Sequence, residues 1–145
     1  MSPEINKLDE LHHLVRQLTV LLNNCTRDEV CSSYEKLMMT VEQTFAEEQL
    51  LMEKHEFPAT RSHLEQHARV LSTMHHAHSS VMRGNRNLAV HIGAHLLPDW
   101  FELHNSTLDA AVSVWACYKI DCAKQITNYR NQKALLVRQC ERARQ

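Results

Sequence analysis

Apolar residues recur at three- and four-residue steps through most of the chain, the spacing that gathers side chains on one face of an α-helix. The first stripe runs Ile5, Leu8, Leu11/His12, Val15, Leu18 and Leu22, up to about Asn24. Ser2-Pro3-Glu4 ahead of it supplies a capping hydroxyl, a proline at the first helical position and an acid near the positive end of the dipole. Thr26-Arg27-Asp28-Glu29 reads as a capping box opening a second helix, whose inward face is Val30, Tyr34, Leu37, Val41, Thr44/Phe45, Glu48 and Leu51 and which ends before Pro58. Thr60 is placed to cap a third, with His63, His67, Val70/Leu71, Met74, His78 and Val81 on one face until Arg83-Gly84-Asn85 breaks it. A fourth begins near Asn87 and contains Pro98, where a kink or a junction between helical pieces is expected because proline lacks a backbone donor and clashes one turn back. From there Val112, Trp115, Lys119, Cys122, Ile126, Tyr129, Lys133, Leu136 and Cys140 step in threes and fours as a heptad seam interrupted by lysine.

Composition agrees with helices and excludes much else. The 145 residues hold only 2 Gly and 3 Pro, too few for the turns of a sandwich or barrel, and 43% are hydrophobic, enough for one compact all-α bundle. No run approaches the roughly 18–20 apolar residues of a spanning helix, so no membrane insertion is expected. Five cysteines form no C-x-x-C pair, and Met1–Lys7 has no basic-then-apolar leader pattern, so a cytoplasmic chain with reduced thiols is expected. Charge is uneven: residues 1–118 carry 9 Lys/Arg against 15 Asp/Glu, and 119–145 carry 7 against 2. The basic tail lacks aromatic interleaving or a reading motif, so nucleic acid is not an expected partner.

Against this background the chain has eleven histidines. His63 and His67 are four apart and share a helix face, as chelation requires. Each helical stripe also places a histidine or carboxylate among its apolar residues: His12, Glu48, His63 with His67, and His104 with Asp109. Burying such groups unpaired costs several kcal/mol each, so they must pair with one another or bind metal.

His12 in L-D-E-L-H, Glu48 in T-F-A-E-E-Q-L-L-M, His63 and His67 in F-P-A-T-R-S-H-L-E-Q-H, and His104 and Asp109 in W-F-E-L-H-N-S-T-L-D resemble the successive motifs of a hemerythrin domain. The resemblance covers about residues 5–112. It implies an up-down-up-down four-helix bundle with a C-terminal helical extension, holding two non-haem iron ions bridged by two carboxylates and an oxo or hydroxo group, with dioxygen or a small anion at one iron. Carried over by position, His63, His67 and His104 hold one iron, His12 the other, and Glu48 and Asp109 bridge. The family's second-helix motif is H-F-x-x-E, and its histidine is replaced in this chain by Thr44, so the His12 iron is expected to keep an extra open position. The tryptophan-leucine pair before the fourth-helix histidine is Trp100-Phe101, and the isoleucine after it is Asn105. Ferritin-type proteins match less well, since of their two Glu-x-x-His pairs only Glu10/His13 is present.

One spacing resists the assignment, because five residues at about 100° each leave His104 and Asp109 roughly 140° apart on an ideal helix. A wide turn, the Pro98 distortion or different reach across the core is needed. Of the remaining histidines, His13 should point away, His75, His76 and His78 form a surface run or an adventitious second metal site, and His55, His91 and His95 lie on helix surfaces or ends. Phe45, Trp100 and Phe101 are core or pocket lining.

The resemblance implies a boundary near residue 112, with 113–145 as a helical linker. The first expectation is an oxygen or redox sensor, the input domain of a signalling protein such as a diguanylate cyclase, reporting through a C-terminal helix that pairs with a second copy. A fifth helix folded back on the bundle is the alternative for the tail. Oxygen or nitric oxide storage, and a di-iron oxidase or peroxidase, are the alternatives for function.

Overall fold

The computed structural model describes residues 2–142, and every regular element among them is helical. α1 spans Pro3–Asn24, α2 Val30–Lys54 and α3 Thr60–Met82. The fourth helical stretch is the longest and runs without an intervening loop through α4 (Asn87–His91), a π-helical turn (Ile92–Leu96), α5 (Leu97–His104), a second π-helical turn (Asn105–Asp109) and α6 (Ala110–Arg142). The all-α expectation holds.

Local chemistry sets the helix ends. Ser2 Oγ accepts the Ile5 N–H at 3.4 Å, as its capping position predicts. At the second helix only the acid half of the expected box forms: Glu29 accepts from the Thr26 N–H and hydroxyl, both at 2.8 Å, and the helix proper starts at Val30. Thr60 is the first helical residue rather than the cap, and its hydroxyl donates to Phe57 O at 2.7 Å. α3 stops at Gly84, whose φ of +89° suits a residue without Cβ. There Gly84 N–H bonds Val81 O at 2.8 Å and Asn85 N–H bonds Ser80 O at 2.9 Å, the paired bonds of a Schellman end.

Pro98 makes no junction. The helix widens just ahead of it, where Leu97 N–H reaches back five residues to Ile92 O, and so passes the proline without interruption. Gly93 lies in this first π turn; a Cβ there would sit 2.1 Å from Leu22 Cδ2, so the buried Leu22 side chain occupies the space that a side chain at residue 93 would take.

The apolar core is in two parts. The larger includes Val15, Leu18, Leu37, Val41, Met74 and Phe101, and the smaller is built of Ile5, Leu8, Leu51, Met52, Val112 and Ala116. His12, Glu48, and His104 with Asp109 fall between these groups along their helices, so the polar residues form a layer with apolar packing on both sides.

The tail expectation needs correcting at its start. Val112 is 2% exposed in the smaller core, and Trp115 Nε1 donates to His55 O at 2.8 Å, so the first two seam positions pack within the chain rather than against a second copy. Lys119 follows, 3.3 Å from Glu56 Oε2 and stacked over Trp115. From Ala123 to Leu135 every residue is exposed, with Ile126 at 53% and Tyr129 at 67%, so the described tail does not fold back as a fifth helix. The side chains of Leu136 and Cys140 lie outside the described residues. No described helix is long and apolar enough to cross a membrane, and Cys25, Cys31, Cys117 and Cys122 are free thiols.

Candidate metal centre

All six residues named from the sequence meet in the polar layer, and all are buried. Their register explains it. His12 comes one turn after Leu8, Glu48 one turn before Leu51, and His63 and His67 stack one turn apart on α3. The difficult pair, His104 and Asp109, is reconciled by the second π turn, which spans the residues between them. Ala110 N–H bonds Asn105 O five residues back, and this wider turn brings residues five apart onto one side of the helix.

The donors converge. His104 Nε2 lies 2.9 Å from His63 Nε2 and 3.0 Å from His67 Nε2. Glu48 Oε2 is 3.0 Å from His67 Nε2, and Asp109 Oδ1 is 3.1 Å from both His63 and His104. These five ligand atoms all lie within 4.8 Å of one another. The other carboxylate oxygens turn the opposite way: Glu48 Oε1 is 2.9 Å from His12 Nε2 and Asp109 Oδ2 is 3.6 Å from it.

Such a cluster could hold a metal cation. Three imidazole nitrogens at hydrogen-bond distance cannot all find a proton to share, and Glu48 Oε2 and Asp109 Oδ1 are buried without a hydrogen bond. Two carboxylates in a nearly closed layer also demand positive charge. Nitrogen and oxygen donors in this number suit a first-row transition metal.

The site's acid–base balance follows. Burial alone would raise the Glu48 carboxyl, but the imidazoles of His12, His63 and His67 outweigh it and hold the group well below the ordinary carboxylate range. Burial also works against a charged His63, yet Asp109 and Glu48 push its pKa up to about 9. At His67 burial prevails and the pKa is lowered.

Aromatic rings hold the imidazoles. Phe45 stacks on His67 with centroids 3.7 Å apart, Trp100 stacks on His104 at 4.3 Å, and Phe101 meets His12 edge-on at 5.5 Å. The Nδ1 atoms of His63, His67 and His104 have no hydrogen-bond partner, and at His67 and His104 stacking does the orienting that a second hydrogen bond usually does, while His63 packs edge-on against those two rings. The His12 side instead opens on a surface cleft of about 540 Å³ between α1 and the fourth helical stretch.

Thr44 is fully buried and its hydroxyl donates to Thr40 O at 2.7 Å, within its own helix. The other histidines stay outside the cluster. His13 is exposed beside Gln17, His75 pairs with Glu42 at 2.7 Å, and His55 ends α2. Sequence reasoning missed Arg16 and Asn105, which neighbour the site; the four-residue steps His12 to Arg16 and Asn105 to Asp109 were the available signal. Comparison with protein-family models, with curated proteins and with solved structures returned no match.

Proposed function

We propose that the chain is a hemerythrin-like domain holding two non-haem irons: an up-down-up-down four-helix bundle over residues 1–112, with 113–145 as the helix that carries its output. The observation behind this reading is the division of each carboxylate, one oxygen of Glu48 and of Asp109 turned to the three-histidine side and the other to His12. His63, His67 and His104 would hold one iron and His12 the other, with Glu48 and Asp109 shared. Iron there would supply one-electron redox chemistry and a place for dioxygen or a small anion.

The chain's own residues favour a sensor. Phe45 and Trp100 pack over the His67 and His104 rings and limit water there, whereas the cleft leads a small ligand to His12. Asp109 ends the second π turn and α6 begins at the next residue, so a shift of its carboxylate acts at the root of the projecting helix. Exposed Ile126 and Tyr129 would meet a second copy, and a fused output domain such as a diguanylate cyclase would be driven in the cytoplasm.

Hydrogen exchange of iron-loaded protein, compared between oxidised and reduced samples, tests the reporting role. Altered protection over residues 110–122 is expected. Identical protection in both states contradicts a sensor and favours storage.

A further inference from the structure

The two metal positions are unequally furnished. Five donor atoms converge on one, from His63, His67, His104, Glu48 and Asp109. Among the described residues the other is faced by His12 Nε2, Glu48 Oε1 and Asp109 Oδ2, and the Thr44 hydroxyl is bonded to its own helix.

One of those three donors is already engaged. With its amide in the orientation that satisfies both neighbours, Asn105 donates to Asp109 Oδ2 at 2.6 Å and accepts from Arg16 Nη2 at 3.1 Å. The same Arg16 nitrogen reaches Glu102 Oε2 at 3.4 Å. The Asn105 amide is therefore held from both ends, and a chain of hydrogen bonds runs from the cleft wall to the outer oxygen of Asp109. Oδ2 keeps a lone pair beside this hydrogen bond, but it stands 3.6 Å from His12 Nε2 where Glu48 Oε1 stands at 2.9 Å, so the outer hydrogen bond sets the carboxylate plane toward the three histidines and makes Asp109 the weaker of the two bridges.

We infer that Asn105, backed by Arg16, is a positioning residue that biases the shared Asp109 toward the three-histidine position and leaves the His12 position as a weak site in exchange with solution through the cleft. This rests on the two-metal reading above. The metals load in order, the first is retained and the second comes and goes with supply, so occupancy at His12 follows free metal.

The test is an anaerobic calorimetric titration of the metal-free full chain with Fe(II), with retained iron counted after gel filtration. Two steps at least about tenfold apart in affinity are expected, with one iron retained. Asn105→Leu removes the amide at similar size and narrows the gap by about tenfold or more. Arg16→Met, at a half-exposed side chain, frees the amide to turn and narrows the gap in the same direction by less. No iron bound by the parent overturns the two-metal reading and the inference with it. Two irons bound with equal affinity overturn the inference alone. A gap unchanged by both substitutions overturns the part assigned to Asn105.

Discussion

His63, His67 and His104 supply three nitrogens, with His104 Nε2 about 3 Å from each of the other two, while His75 and His76 are exposed on the outside of the same bundle. Replacing any of the first three with alanine is expected to weaken iron binding by more than about 100-fold, beyond the usual effect of an outer partner. His75→Ala and His76→Ala should leave it unchanged. Equal losses in a metal count on all five variants would mean that the buried nitrogens are not the ligands. Thr44 carries a second expectation. Thr44→His places an imidazole one turn before Glu48, where the hemerythrin resemblance sets a ligand for the His12 iron, and is expected to raise retained iron toward two per chain and to slow oxidation of the reduced protein. Unchanged retention together with unchanged oxidation would contradict the idea that the missing imidazole limits that position. Protons enter as well: Asp109 and Glu48 hold a proton on His63 up to about pH 9, so the first metal must displace it. Calorimetry in buffers of different ionisation enthalpy should detect that release near neutral pH, and the absence of any release would contradict a protonated His63 in the metal-free site.

The second π turn, Asn105–Asp109, is the element on which the site depends, because it alone lets ligands five apart share one side of a helix. Inserting one alanine after Ser106, an exposed residue inside it, puts the two ligands six apart, a spacing that neither the π turn nor an α turn aligns, and should swing Asp109 by about 100° and abolish the five-atom cluster while circular dichroism stays helical. Iron bound as tightly after the insertion would show that the register set by the wide turn is dispensable. The first π turn tolerates change differently. Gly93→Ala drives a methyl into buried Leu22 and should destabilise the fold by about 1–3 kcal/mol, read from a denaturant midpoint. Both turns illustrate where sequence pattern runs out. The spacings that placed α1, α2 and α3 are local and were legible, as was each ligand as a polar residue in an apolar stripe. A π turn is favoured by what the helix packs against, and neither the His104–Asp109 spacing nor Pro98 alone reveals which distortion the chain adopts.

Two apolar cores with a polar layer between them make a fold whose stability is tied to what fills that layer. The layer was readable because His12, Glu48, His63 with His67, and His104 with Asp109 interrupt their stripes at matching heights. The use of Val112 and Trp115 inside the bundle was not, since a heptad step looks the same whether it faces a second copy or the chain's own α2 end. The exposed part of α6 buries little, so truncation after Thr127 should leave iron binding and the melting temperature of the remainder unchanged, and a large loss of either would show that the tail supports the bundle. Metal binds only the folded chain, so free metal at about 100 times Kd should add about 2.7 kcal/mol, or roughly 5–10 °C in melting temperature, that chelation removes. The most direct measurement is iron quantitation with an absorption spectrum of protein purified anaerobically, loaded with excess Fe(II) and then oxidised. Two irons per chain in the presence of excess metal, with oxo-to-ferric charge-transfer bands appearing on oxidation, are expected; protein that takes up no iron and develops no such bands would contradict the metal centre itself.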